Sequence, residues 1–232
     1  MRENDREVID LARGIACLLL AELPDRLRHS RGVAATAARL AVVVPPADRG
    51  LLVAAGWLHD IGYSPQIRDT GFHPLDGARY LQQRGLAHPL VCLVAHHSGA
   101  AYTARAYHLD GQFTEFERPD GPVLDALAYA DMTTGPQGQP MSFDERLAEA
   151  LRRHGPGSVH ARVMPHRHAY LAAAVERTCQ RLAHVGTGPE HETALTTPSG
   201  PAGSTLPPRR CIMPLSAARH PPPEGHHMAA SR

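Results

Sequence analysis

Apolar positions recur every three to four residues from the N-terminus to about His184, and two-residue alternation is nearly absent, so the pattern predicts helices and almost no strand. The predicted helices lie at roughly 4–22, 24–43, 47–61, 73–84, 87–98, 121–133, 142–154 and 158–184. Several of these boundaries have a mechanism. Pro24-Asp25 and Pro46-Ala47-Asp48 put a proline and an acid into first turns, where no N–H is required and negative charge meets the helix dipole. Ser142 with Glu145 has the spacing of a capping box. Gly85, Gly99 and Gly155 stand where helices would be capped at their C-termini. Between Ala100 and Gly121 the periodicity gives way to aromatics and charges, a stretch that reads either as a lid or as a surface connection. The expected architecture is a single all-α helical bundle over 1–185. From residue 186 to 232 the chain turns to Pro, Gly, Ser and Thr, which cannot offset the entropy of ordering, and a disordered tail is expected there.

Composition narrows the classes of function. With 232 residues, 43% of them hydrophobic, the chain is long enough for one core of ordinary size. The 24 basic side chains nearly balance the 23 acidic ones, so no nucleic-acid partner is expected. All of the basic residues are arginine. A cation in any site is therefore a permanently charged fork suited to phosphate, not a lysine-type base. Cys17, Cys92, Cys179 and Cys211 are widely spaced, which argues against a disulfide framework and a thiolate zinc site. The apolar run Ile15–Leu20 is too short to cross a bilayer and follows a charged start unlike a signal peptide, so no membrane partner and a cytoplasmic location are expected.

The chemistry lies in a few residues on apolar faces. Val33, Ala37 and Leu40 follow His29 at four, eight and eleven residues, a single helical stripe. Leu52 and Ala55 precede His59 at seven and four; Pro89, Cys92 and Leu93 precede His96 in the same manner, and Leu124, Leu127 and Ala128 precede Asp131. One inward histidine is usually a satisfied core residue. Four helices each directing a ligand-type group inward, with Asp60 beside His59, point to a shared polar focus, because an unpartnered buried carboxylate is expensive. Imidazole and carboxylate are the donors that hold Zn, Mn, Fe or Ni. Thr133 and Thr134 follow Asp131 in a turn-rich run that reads either as a wall of a substrate pocket or as a plain helix-ending turn.

The ordered array His29, His59-Asp60, Asp131, with His59-Asp60-Ile61-Gly62, resembles the HD superfamily of metal-dependent phosphohydrolases in its HDIG form, over residues 24–155. The resemblance implies that His29, His59, Asp60 and Asp131 hold one divalent ion, and that Asp60 bridges to a second held by His73 and by His96 or His97. His73-Pro74-Leu75-Asp76-Gly77-Ala78 is similar to the His-x-x-x-Gly-Ala segment of the dinuclear members. Small bacterial dinucleotide-polyphosphate hydrolases are the nearest in pattern, and their counterpart of His96-His97-Ser98-Gly99 favours His96 as ligand. His97 then becomes the candidate acid for the leaving group, beside Asp60 as the central catalytic ligand. Many relatives carry a lysine after the HDIG glycine. Tyr63 stands there in this chain, and Arg68 or Arg105 is the expected substitute cation.

The implied function is hydrolysis of a phosphoester or phosphoanhydride in a small phosphate-containing substrate, a nucleotide, with two divalent ions. Two rivals are a one-metal nucleotidase or alarmone hydrolase and a silent, metal-containing sensing module.

Overall fold

In a computed structural model the chain is described over residues 2–186; the expected tail lies outside the described residues. Every regular element there is helical, apart from one isolated bridge between Thr134 and Pro140. Helices α1 (Glu3–Leu19), α2 (Pro24–Leu40) and α3 (Arg49–Leu58) come first. Then follow α4 (His73–Gln83), α5 (His88–His96), α6 (Ala100–Ala106), α7 (Asp110–Phe113), α8 (Pro122–Met132), α9 (Phe143–His154) and α10 (Val159–Gly186). Among the described residues no helix is long and apolar enough to cross a membrane.

Two helices form the centre. Every residue from Leu52 to Leu58 in α3 is buried, as is every residue from Leu124 to Met132 in α8. A helix apolar on all sides must be covered on all sides. Helices α1, α2 and α5 pack around α3, while α2 and α10 pack on α8. Close approach needs small residues at the contact: Gly56 of α3 abuts Ala34 of α2, where a Cβ would lie 2.9 Å from the Ala34 Cα. The capping box at Ser142 and Glu145 is present, and Gly155 ends α9 at φ +83°.

Several predicted helices, the first among them, are shorter than their periodicity, and two of the breaks build the site. The third stops at Leu58, and the chain passes through Asp60 (φ −105°, ψ 6°) into a tight 3-10 turn at Ile61–Tyr63. Gly62 makes this possible, since a Cβ there would lie 1.9 Å from the His73 carbonyl oxygen. That absent methyl lets the start of α4 lie against the HDIG turn. The fifth ends at His96: His97 is extended in ψ (146°), and Ser98 and Gly99 both have positive φ, +47° and +68°. The second ends at Leu40 in place of residue 43 and continues as a 3-10 turn. The stretch read as lid or connection instead contains α6 and α7. Their buried positions are Ala100, Thr103, Ala104 and Phe113, too few to register as a periodic face.

Candidate metal centre

Two clusters of ligand-type side chains meet where α2, α3, α4, α5 and α8 converge. His29, His59 and Asp131 each offer an atom within 4.8 Å of the others, and so do Asp60, His73 and His97. In the first, His29 Nε2 is 3.3 Å from His59 Nε2 and 3.1 Å from Asp131 Oδ1. In the second, His73 Nε2 is 3.2 Å from His97 Nε2 and 3.3 Å from Asp60 Oδ1. Asp60 stands between the clusters. Its Oδ1 faces His73 and His97 (3.3 and 3.8 Å), and its Oδ2 faces His59 and His29 (3.6 and 3.9 Å).

The far side of each ring tells which nitrogen carries the proton. His29 Nδ1 lies 3.1 Å from the Gly135 carbonyl, His59 Nδ1 2.9 Å from Gly56 and His97 Nδ1 2.7 Å from Val94. A carbonyl only accepts, so Nδ1 is the donor and the neutral ring turns the Nε2 lone pair inward. Burial pulls the pKa of His59 below the ordinary value and takes His73 and His97 down to about 4, so these rings are neutral at pH 7. The lone pairs of His29 and His59, aimed at one another across 3.3 Å, repel unless a cation lies between them. The donor set therefore fits a divalent metal, and its backbone contacts fix the ligand tautomers.

The carboxylates are held ionised. Burial works against the Asp60 charge, but His59, Arg26 and a hydrogen bond from His73 outweigh it and keep its pKa well below the ordinary range. The same balance, with His29, His59 and Arg146, holds Asp131 low. Arg26 reaches Asp60 Oδ2 at 2.9 Å, and Ser98 donates its hydroxyl to Asp131.

Several expected residues are placed differently. His96 faces away from both clusters, its Nε2 2.9 Å from the Phe116 carbonyl and its ring edge-on to Phe113. His97 takes the position beside Asp60 because the helix ends between the two histidines, and consecutive side chains then diverge. With one nitrogen on Val94 and the other turned to Asp60 and His73, His97 belongs to the second group of side chains that could hold a metal ion. Arg68 and Arg105 are exposed and outside the cleft that the two clusters line. Thr133 and Thr134 turn their hydroxyls back to the Tyr129 and Ala130 carbonyls, finishing α8, and neither lines the cleft. The turn they begin still serves the site, because it presents the Gly135 carbonyl to His29.

The cations are Arg26, Arg146, Arg153 and Arg167, all lining the cleft with Asp60, His73, His97 and Asp131. Arg26 lies 4.0 Å over the Tyr63 ring, which in turn stacks on His73 at 4.0 Å. Burial and the neighbouring Asp60 raise the Tyr63 pKa to about 12, so it stays a neutral platform. A tyrosine after the HDIG glycine thus carries an arginine from α2 where lysine was missed, a pairing that no local motif announces. Arg146 of α9 is buried and 3.5 Å from Asp131. His160 stacks on His154 at 3.8 Å and lines the cleft.

No curated protein and no solved structure matches the chain. The family model of the HD domain matches residues 26–135, a span that begins at Arg26 and closes on the turn that holds His29. Residues 26–135 of this all-α chain therefore form an HD domain, of the superfamily of metal-dependent phosphohydrolases.

Proposed function

We propose that this protein hydrolyses a phosphoester or phosphoanhydride bond of a nucleotide, using two divalent ions. In this reading His29, His59 and Asp131 hold one ion, His73 and His97 hold the other, and Asp60 is shared. The observation that carries it is the division of the Asp60 oxygens between the two clusters. Divalent ions bound there would supply Lewis acidity toward phosphate and lower the pKa of bound water.

The chain's own groups have distinct parts in this reaction. Arg26, steadied by Tyr63, would meet non-bridging phosphate oxygens as charge builds on them. Ser98 and Arg146 orient Asp131, and the Gly56, Val94 and Gly135 carbonyls keep the imidazoles in the ligating tautomer. The cleft admits substrate between α4 and the α9–α10 pair.

Elemental analysis of the purified chain together with a nucleotide screen in Mn or Fe tests this reading. Close to two ions per chain and turnover of a nucleotide are expected, and Asp60→Asn should lose both metal and activity. Close to one ion would overturn the shared-carboxylate assignment. Full occupancy with silence across the screen would overturn hydrolysis in favour of a sensing module.

A further inference from the structure

Helices α9 and α10 follow the matched HD segment and contribute Arg146, Arg153, His160 and Arg167 to the wall of the same cleft. Two of the arginines have carboxylate partners: Arg153 reaches Glu149 at 3.0 Å, and Arg146 bonds Glu149 and lies 3.5 Å from Asp131. Arg167 has no ion pair among the described residues. Its Nε donates to the Ser98 carbonyl at 2.8 Å, which engages one of the five N–H groups of a guanidinium. Burial lowers its pKa from the ordinary value, against the opposing field of Asp131.

Two more polar atoms in this wall lack a partner. Arg146 Nε and His160 Nδ1 are both buried without a hydrogen bond. Leaving a buried polar atom unpaired costs roughly 1–3 kcal/mol. Two such atoms beside a cation without a carboxylate describe a wall shaped for an anion that arrives from outside. A purely structural task for Arg167, holding Ser98 at its positive φ of +47°, accounts for one N–H and leaves the other two groups unexplained.

We propose that Arg146, His160 and Arg167 form an anion subsite that takes a second phosphate of the substrate, beyond the one cleaved at the His/Asp clusters. The substrate class is then an ester or anhydride with at least two phosphates, not a simple monophosphate. A planar guanidinium fork suits such an oxyanion; Arg146 Nε–H adds a donor, and His160 donates as well in its Nδ1–H tautomer. The assignment of the first phosphate rests on the hydrolase reading above; the subsite itself requires no turnover.

Calorimetry on the full-length, metal-loaded chain tests the subsite with two probes that water cannot cleave, methylenebisphosphonate and methylphosphonate. The wild type should bind the bisphosphonate more tightly. Arg167→Gln should weaken bisphosphonate binding about tenfold, one charge-assisted hydrogen bond, and leave methylphosphonate within about twofold. Arg167→Lys should recover part of the loss, since charge is kept and the fork is not. Unchanged bisphosphonate affinity in Arg167→Gln would overturn the proposal. Equal loss for both probes would also overturn it and leave Arg167 as a clamp on Ser98. If the protein turns over no phosphoester, the hydrolase reading fails while the Arg167-dependent difference between the probes still stands.

Discussion

At the scale of single residues, the site depends on where each imidazole places its proton. Backbone carbonyls of Gly56, Val94 and Gly135 take the Nδ1–H of His59, His97 and His29, so the opposite lone pairs converge on the cluster centres. His96 hydrogen-bonds the Phe116 carbonyl, on the far side of the same helix end. The two neighbours should therefore separate cleanly in experiment. His97→Ala should lose bound metal, and His96→Ala should keep it, at a stability loss of about 1 kcal/mol for one broken hydrogen bond. Parallel elemental analysis of the two variants decides the matter. Metal lost from His96→Ala and retained in His97→Ala would reverse the assignment.

At the scale of elements, the site is made where helices stop. Asp60 and His97 both follow a helix end, and each end has a backbone cause: the tight turn around Gly62 and the positive-φ pair Ser98-Gly99. Gly62 is the more demanding position, because a Cβ would lie 1.9 Å from the His73 carbonyl oxygen. Gly62→Ala must push α4 away from the turn, and with it His73 from Asp60. Loss of roughly 2–4 kcal/mol of stability is expected, the range of severe overpacking, together with loss of metal from the Asp60 cluster. Thermal unfolding and metal content would show it, and a variant with unchanged melting would refute the contact. Helix periodicity had found the inward faces of His29, His59 and Asp131 correctly, because that requires only one helix and a generic core. It ran the third and fifth helices too far, since apolar residues continue through both breaks.

At the scale of the whole molecule, α10 ties the HD segment to the α9–α10 wall. Asp125 of α8 accepts hydrogen bonds from Arg177 at 2.9 and 2.6 Å and from Arg181 at 2.8 Å. Burial disfavours the Asp125 charge, but the two arginines outweigh it and lower its pKa from the ordinary 3.8. A depressed carboxylate pKa gives stability that is fully present above the unfolded value of 3.8 and is lost as pH falls through the lower folded value. Asp125→Asn should therefore lower the melting temperature at neutral pH, by an amount equivalent to roughly 1–2 kcal/mol after allowance for solvent screening. The gap from wild type should narrow once the pH drops below that window. A gap that stays constant through acid would show that Asp125 does not act through its charge.

The one-dimensional pattern determined the helical class, the capping box at Ser142 and the inward stripe of each ligand-bearing helix, because those follow from a period of 3.6 residues and local turn chemistry. It also contained the order His29, His59-Asp60, Asp131, which lies within the residues matched by the HD-domain family model. Tertiary structure decided the rest. Which oxygen of Asp60 faces which histidines, which of two adjacent histidines joins the cluster, and which arginines reach the cleft all depend on neighbours far away in the chain. Arg26 over Tyr63 and Arg167 against Ser98 are separated by 37 and 69 residues, and no local period records such meetings. A charged residue on an amphipathic helix has the same local signature whether water or a cleft covers it, and only the packing of α9 and α10 distinguishes the two.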